Sequence, residues 1–299
     1  MPLVTAVITT FNRKRYLPSA IKSVLNQTML NFELLVLDNS SSDGTEHVVK
    51  FFDDPRIRYI RHCPITIGAQ RNLGLREAKG EYIGFLDDDD EWLAAKLERQ
   101  LEVFHDGAPD LALVYGGFVR IDSEGREFAT HCPVLRGLIL LDLLWQWDAF
   151  TGSASNPLMK VSVLRDLGGY NDELCTSEDW ELYLRLAERY TIDFTEENIV
   201  RIRSHRGPRL GDRVGEALKV EALALDKYKS IMDARLRSFY LQTIGGKQCR
   251  LSLIQEGRRA IIQAIRLNPA NVVAYAQYAM SWLGPNTYQA MHRAYKRFF

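Results

Sequence analysis

The sequence predicts an α/β fold in which a mainly parallel sheet is flanked by helices, and three observations support this prediction. In the first half of the chain, strand-like runs alternate with segments of helical periodicity. The run at 4–10, VTAVITT, is short and β-branched, which is typical of a buried strand. The runs at 32–38 and 81–87, FELLVLD and EYIGFLD, each end on an aspartate. Strands that alternate with helices in this way form mainly parallel sheets covered by helices.

The other elements follow from periodicity and from turn residues. Residues 16–27 carry apolar side chains at helical spacing, and residues 67–80 are predicted to form a helix that ends at Gly80, since glycine commonly follows a helix. The segment EWLAAKLERQLEVF, at 91–104, is predicted to form an amphipathic helix, and another helix is expected to begin near Glu178. Further strands are predicted at 57–62, 111–122 and 192–205.

We expect two parts, an α/β domain over residues 1–215 and a helical C-terminal extension over residues 216–299. The chain has 299 residues, of which 46% are hydrophobic and 25% charged, as in an ordinary globular protein with a sizeable core. The segment GRRAIIQAIRLN, at 257–268, is predicted to form a helix that stops before Pro269.

The sequence indicates neither a secreted nor a membrane-spanning protein. Its four cysteines are far apart and form no CxxC pair, so neither a zinc site nor a disulfide framework is expected. The N-terminus, MPLVTAVITTFNRKR, lacks the long apolar run of a signal peptide. The most apolar later stretch, at 137–145, is too short to cross a bilayer. A cytoplasmic location is therefore expected.

The charges are unevenly distributed, although the formal net charge is zero. No Asp or Glu follows Glu256, whereas six basic residues do. Such asymmetry is typical either of contact with an anionic partner, such as a membrane surface, or of a helical appendage packed against an acidic domain. The basic tail is therefore a candidate for peripheral contact with the inner face of the membrane.

The acidic ends of the predicted strands indicate a ligand site, because parallel α/β sheets bind ligands at the carboxyl ends of their strands. Asp38 and Asp87 both fall at such an end, and Asp87 opens a run of four aspartates that ends at Asp90. A strand-to-helix turn needs only one capping aspartate, and adjacent like charges repel. The run is therefore either a solvated acidic turn or a site for Mg²⁺ or Mn²⁺, which take oxygen ligands and bridge to substrate phosphates.

Four other assignments have both a structural and a functional interpretation. Asp38 either closes its strand through an Asx turn or accepts a hydrogen bond from a base or ribose. Asp179 either caps a helix or, if it faces the ligand edge, acts as a general base. Arg71 is either solvated or bound to a diphosphate. His205, beside several arginines, is unremarkable alone but is a candidate metal or phosphate contact.

Five sequence blocks, taken in order, resemble family-2 glycosyltransferases with the GT-A fold. The resemblance covers about two-thirds of the chain, and its third and fourth blocks contain the family's DxD motif and "ED" pair. It implies a Rossmann-like, GT-A-type sheet. The blocks are VTAVITTFNRKRYLPSAIKSVLNQT, FELLVLDNSSSDGT, IGAQRNLGLREAKGEYIGFLDDDDEWL, NPLMKVSVLRDLGGYNDEL with TSEDWELYLRL, and RIRSHRG.

The resemblance implies that one group of residues binds the nucleoside of a sugar donor. Thr10 and Phe11 would line the base, partly through their main chain. Asp38 would accept a hydrogen bond from a uracil-like ring. Asp87 or Asp88 would bind the ribose, since four consecutive aspartates leave the register of the DxD motif open by one residue.

A second group would serve the diphosphate and the reaction. Asp89 would ligate a divalent metal, Mn²⁺ or Mg²⁺, and His205 would be a further metal or diphosphate contact. Arg71 would help to hold the donor's nucleotide or diphosphate. Asp179 would be the base that takes the proton from the acceptor hydroxyl.

Together these roles predict an inverting glycosyltransferase that moves a single sugar from a nucleotide-diphosphate donor, expected to be a UDP-sugar, to a glycan or lipid-linked acceptor. Processive members of the family carry a QxxRW-like motif and transmembrane helices, and neither occurs in this sequence. No nucleic acid is expected among the partners. A catalytically inactive nucleotide-sugar-binding module of a glycan assembly complex is the alternative. A nucleotidyltransferase is disfavoured, because TTFNRKR is not a Gly-rich phosphate loop.

Overall fold

The central sheet begins with two strands that are buried at every position, β1 (Val4–Thr10) and β2 (Phe32–Asp38). A strand that is buried on both faces needs cover on both sides, which parallel sheets obtain from helices. β1 pairs in parallel with β2 and with β4 (Tyr82–Asp87), and β2 pairs in parallel with β3 (Ile57–Arg61). The predicted α/β class is therefore confirmed.

A computed structural model describes residues 1–145, 150–204, 214–284 and 288. The remaining strands are β5 (Glu91–Trp92), β6 (Leu111–Ile121), β7 (Glu127–His131), β8 (Leu158–Lys160) and β9 (Thr191–Arg203). The helices are α1 (Leu17–Leu25), α2 (Thr45–Lys50), α3 (Ile67–Glu77), α4 (Lys96–Asp106), α5 (Leu140–Trp145), α6 (Val161–Asp166), α7 (Glu178–Ala187), α8 (Val214–Tyr228), α9 (Ala234–Arg250), α10 (Ile254–Leu267) and α11 (Val272–Ser281).

The sheet is parallel in its first half and mixed in its second. In the described part of the chain its order is β3-β2-β1-β4-β8-β6-β9-β5, and β7 pairs with β6. β8 pairs with both β4 and β6 in antiparallel orientation, whereas β6 and β9 are parallel. The mainly parallel arrangement that the sequence predicts thus holds for the half that carries the predicted ligand edge.

Local sequence signals explain how the flanking helices are set. α1 has a proline in its first turn, where the missing N–H costs no hydrogen bond. Its buried stripe, which includes Ile21 and Val24, packs in the same core as β1 and β2. α3 begins at an N-cap threonine, because Thr66 Oγ1 accepts a hydrogen bond from the Ala69 N–H at 3.2 Å.

Two predicted helix boundaries are wrong, and tertiary contacts explain both. α3 ends at Glu77, before Gly80. Gly80 is required instead by close packing, since a Cβ at this position would lie 2.6 Å from the backbone nitrogen of Thr5 in the segment of β1. The helix predicted from 91 begins only at Lys96, because the first two residues of the segment pair with β9 as strand β5.

The chain divides into two compact units, Met1–Gly207 and Pro208–Phe299, whereas the sequence suggested a division after residue 215. In the second unit, α9 to α11 enclose a small apolar core that includes Ile261 and Ala264. None of the helices in the described ranges has both the length and the apolar character that a bilayer span requires. The basic residues at 293, 296 and 297 lie outside the described residues.

Candidate active site

The parallel register of β1, β2 and β4 brings three predicted site residues to one edge of the sheet. Thr10 lies opposite Asp38 on the neighbouring strand, and Thr9 lies opposite Asp87 on the other side. All three strands end at this level, so the loops that follow them share the edge. The structure therefore places Thr10, Asp38 and Asp87 side by side.

Phe11, the first residue after β1, is exposed at this edge. It is 54% exposed, although large apolar side chains are usually buried. Its N–H donates a weak hydrogen bond to Asp88 Oδ2 at 3.4 Å. The next residue, Asn12, has a φ of 54° and donates its N–H to Ser41 Oγ at 2.8 Å. This turn ties the loop after β1 to the loop after β2.

Asp38 is buried at the end of β2, where it is only 1% exposed. Its Oδ1 accepts a hydrogen bond from the Ser41 N–H at 2.8 Å, as in a turn-closing aspartate. Its Oδ2 accepts a hydrogen bond from the Tyr59 hydroxyl at 2.5 Å. The structural interpretation of Asp38 is thus realised, while its contact with a base stays a prediction. Tyr59 was not found from the sequence, because nothing local marks its pairing.

The four consecutive aspartates have different environments. Asp90 is buried, and its carboxylate accepts hydrogen bonds from Ser155 Oγ at 2.6 Å, Ser153 Oγ at 2.9 Å and the Arg203 N–H at 2.8 Å. Burial, with the neighbouring carboxylates of Asp87 and Asp89, raises its pKa well above the usual range. Asp90 therefore connects its own turn to the segment of Ser153 and Ser155 and to the end of β9. The aspartates at positions 87 to 89 are then the remaining candidates for contact with a donor.

Asp88 is an incompletely compensated buried carboxyl. It is 8% exposed, and burial raises its pKa to about 7, with further increases from Asp89 and Asp87. Thr10 and Arg13 oppose this shift. The Thr10 hydroxyl lies close enough to act on Asp88, but it makes no hydrogen bond of good geometry within the described residues. The site thus has an excess of negative charge in a region of low water access.

Asp89 lies closer to solvent and is held from two sides. Its Oδ2 lies 3.2 Å from an Arg13 guanidinium nitrogen, and its carbonyl accepts a hydrogen bond from Arg203 Nε at 2.9 Å. Arg13 was not identified from the sequence as a site residue. The basic triplet that follows β1, Arg13 to Arg15, is the signal that points to it, since an acidic ligand edge is expected to attract such charges.

Arg71 connects the aspartate run to α7. It is 4% exposed, and its guanidinium contacts Glu178 and lies 3.2 Å from Asp87 Oδ1. The aromatic rings of Phe85 and Tyr170 lie within 6.0 and 5.5 Å of the guanidinium carbon. Arg71 is thus not solvated, which excludes one interpretation of the sequence, while its contact with a diphosphate stays a prediction.

Asp179 is the second residue of α7, as the sequence predicts. It is half-buried, and its Oδ1 accepts a hydrogen bond from the Trp180 N–H at 2.8 Å. The preceding residue, Glu178, is buried, and burial raises its pKa to about 7 although Arg71 opposes the shift. The two carboxylates of the "ED" pair therefore differ in environment, since Glu178 is buried against Arg71 and Asp179 is half-buried.

The predicted metal contact His205 lies outside the described residues, so its role stays a prediction. Within the described ranges, no group of three or more His, Cys, Asp and Glu side chains is arranged to hold a metal ion.

Comparison with known proteins agrees with the sequence and the geometry. The family described as glycosyl transferase family 2 matches residues 5–168. An uncharacterized glycosyltransferase of Methanocaldococcus jannaschii is 30% identical over 208 residues, which cover 68% of this chain and 71% of that protein. The Escherichia coli protein UDP-Glc:alpha-D-GlcNAc-diphosphoundecaprenol beta-1,3-glucosyltransferase WfgD is 37% identical over 124 residues, 41% of this chain and 48% of that protein.

An uncharacterized glycosyltransferase of Rickettsia felis is 28% identical over 221 residues, which are 68% of this chain. The chain spans only about a third of that relative's length, 34%. Among solved structures, S. aureus TarS 1–349 in complex with UDP-GlcNAc has a TM-score of 0.67 at 16% identity, over 99% of this chain and 92% of that chain.

The mannosyltransferase PcManGT from Pyrobaculum calidifontis, in complex with GDP-Man and Mn²⁺, has a TM-score of 0.59 at 16% identity, over 97% of this chain and 84% of that chain. At such identities the likeness concerns the fold alone, and it confirms the GT-A-type architecture. The family match covers more than half of the chain and includes the strands that form the candidate site. The chain therefore belongs to glycosyl transferase family 2.

Proposed function

We propose that this chain is an inverting glycosyltransferase that moves one sugar from a UDP-sugar to a hydroxyl of a lipid-linked glycan. One observation carries the proposal. Two acidic groups far apart in the sequence, Asp87 to Asp89 and Glu178–Asp179, meet through the buried guanidinium of Arg71. A transferase needs such a pair of sites, one for the leaving diphosphate and one for the attacking hydroxyl.

The donor's nucleoside is assigned to the ends of β1 and β2. The exposed ring of Phe11 offers a surface on which a base can stack, and Thr10 and Asp38 lie beside it. Asp87 and Asp88 are the candidates for ribose contact, since their oxygens lie at the same edge. The name of the E. coli relative specifies a UDP-sugar and a diphosphoundecaprenol-linked acceptor. These two features support the same donor and acceptor class for this chain.

The residues present fit a divalent cation. Asp88 and Asp89 supply hard oxygen ligands, and the raised pKa of Asp88 reflects a burial and charge repulsion that a cation would relieve. Asp89, whose carboxylate now meets Arg13, is the proposed ligand, with His205 as a second candidate. When bound, Mn²⁺ or Mg²⁺ would supply Lewis-acid stabilisation of the departing diphosphate.

Asp179 is the proposed general base. It takes the proton of the acceptor hydroxyl as that oxygen forms a bond to the anomeric carbon, while the bond from that carbon to the diphosphate oxygen breaks. Attack from the side opposite the leaving group inverts the anomeric configuration in one displacement. Asp179 lies in the first turn of α7.

The test separates proton transfer from donor binding. Asp179→Asn is expected to abolish transfer while the affinity for UDP in the presence of Mn²⁺ stays unchanged, because the amide keeps the shape of the carboxylate but accepts no proton. Asp89→Ala is expected to weaken metal-dependent UDP binding. Calorimetric titration with UDP and Mn²⁺, together with a transfer assay on a lipid-linked acceptor, measures both. Full transfer activity in Asp179→Asn would rule out the assigned base.

A further inference from the structure

The described contacts of Arg71 enclose its guanidinium group. Glu178 contacts one terminal nitrogen, Asp87 lies 3.2 Å from the other, and the rings of Phe85 and Tyr170 flank the group. Its Nε–H is also buried. An arginine that serves mainly as a donor contact would instead present its nitrogen atoms at the open edge, where Phe11 is exposed.

We propose that Arg71 is a positioning residue that holds the end of β4 and the start of α7 at a set separation. The inference rests on the proposed function, in which Asp87 belongs to the donor side and Asp179 to the acceptor side. Arg71 acts through its two carboxylate partners and has no direct part in binding the diphosphate.

The start of α7 needs such an anchor because the usual one is missing. Its N-cap residue, Ser177, makes no side-chain cap hydrogen bond and has a φ of 57°, in the left-handed region. Non-glycine residues hold that conformation only where the surrounding structure enforces it. Glu178, the next residue, is 5% exposed and bound to Arg71. The ion pair therefore fixes the first turn of α7, and with it the direction of Asp179.

The electrostatics support a shared role for the three carboxylates. Burial alone would disfavour the charge of Arg71, but Glu178, Asp87 and Asp179 together raise its pKa above the usual value. The guanidinium therefore stays charged and compensates the acidic residues of both sides. A planar fork suits this task, since it donates to two carboxylates in fixed directions, whereas a lysine ammonium would act as a point charge.

The decisive variant replaces both members of the buried pair, Arg71→Met with Glu178→Leu. Apolar residues of similar size commonly preserve stability where removal of one partner would strand a buried charge. We expect kcat to fall about 100-fold, because a displacement of the base by about 1 Å costs that much. The KM for the UDP-sugar and the calorimetric affinity for UDP with Mn²⁺ should change far less than kcat. The single variant Arg71→Lys, which keeps the native Glu178, is expected to retain part of the kcat that the double variant loses.

The matched control is the ion pair Lys247–Glu221 of the second unit, in which Lys247 Nζ lies 2.6 Å from Oε1 of the buried Glu221. The double variant Lys247→Met with Glu221→Leu should leave both kcat and UDP affinity unchanged. If Arg71→Met with Glu178→Leu instead weakens UDP binding and keeps kcat, Arg71 is a donor contact and the positioning role is overturned. Wild-type kcat with wild-type affinity would overturn it as well.

A measurement that does not depend on turnover separates this inference from the proposed function. Hydrogen–deuterium exchange in residues 176–182 should become faster in the Arg71→Met, Glu178→Leu variant, because the first turn of α7 loses its anchor. Unchanged exchange there would contradict the inference even if the protein has no transferase activity. If exchange is faster in this variant than in the wild-type protein, and the wild-type protein shows no detectable transfer, the anchor is supported and only the proposed function is refuted.

Discussion

At the scale of single residues, burial separates side chains that are chemically identical. Asp89 and Asp90 are neighbours in one acidic run, yet Asp89 faces Arg13 near the surface and Asp90 accepts three hydrogen bonds inside the fold. A carboxylate whose acceptor sites are already used by buried donors is a poor metal ligand. The environment thus gives Asp90 a role in the scaffold and leaves Asp89 as the proposed donor-side residue.

Asp90→Ala is expected to lower the free energy of unfolding by about 3 kcal/mol, because it leaves the Arg203 N–H and the serine hydroxyls without their acceptor. Asp89→Ala removes a partly exposed ion pair with Arg13 and should cost no more than about 1 kcal/mol. Urea denaturation followed by tryptophan fluorescence compares the two variants. Equal stability losses would contradict the structural role of Asp90.

At the scale of secondary-structure elements, close backbone packing determines where α3 ends and how β4 begins. Gly80 lies where the chain turns from α3 into β4 and approaches β1 so closely that a side chain has no room. In the sequence, a glycine after a helical stretch predicts a helix cap. In the structure Gly80 instead allows the chain to pack closely against the backbone of β1.

Gly80→Ala is therefore expected to destabilise the protein by about 2 kcal/mol, as over-packing of a tight contact does. The added Cβ would lie 2.6 Å from the Thr5 nitrogen and 2.7 Å from the Val4 carbonyl carbon, and neither backbone atom can move aside easily. Lys79→Ala, at the exposed neighbouring position, is the control and should change stability by no more than about 0.5 kcal/mol. Wild-type stability in Gly80→Ala would refute the packing explanation.

At the scale of the whole molecule, the parallel half of the sheet collects segments that are distant in the sequence. β1, β2 and β4 deliver their carboxyl ends to one edge, and Arg71 on α3 connects that edge to α7. The mixed half of the sheet contributes through β9, whose last residue, Arg203, binds the backbone of Asp89 and the side chain of Glu91. The candidate site therefore depends on most of the first unit.

Ligand binding to this edge should stabilise that unit against heat. UDP at about 100 times its Kd, with Mn²⁺ present, is expected to add about 2.7 kcal/mol and to raise Tm by about 5 to 10 °C. Removal of the metal with EDTA should abolish most of the shift, because Asp88 and Asp89 repel a diphosphate without a cation between them. GDP is the comparison nucleotide. An equal shift with EDTA would contradict a metal-dependent donor site.

The sequence alone predicted the strands that form the candidate edge, and it placed Asp38 and Asp87 at the ends of two of them. β1 and β2 begin and end where the apolar runs predict, and α7 begins at the predicted "ED" pair, because strand burial and helix starts leave strong local patterns. Asp38 and Asp87 were placed at the ligand edge by the same logic. These features follow from residues that are near one another in the chain.

Only the tertiary structure decided which partners these residues have. The enclosure of Arg71 by Glu178 and Asp87, the pairing of Tyr59 with Asp38 and the different environments of Asp89 and Asp90 depend on contacts between distant segments. A single sequence carries no local pattern for such contacts, since their free energy comes from burial and from paired charges that form only when the sheet assembles. The run of aspartates therefore indicates a site in the sequence. Packing in the folded protein distinguishes the scaffold residue, Asp90, from the donor-side candidates at positions 87 to 89.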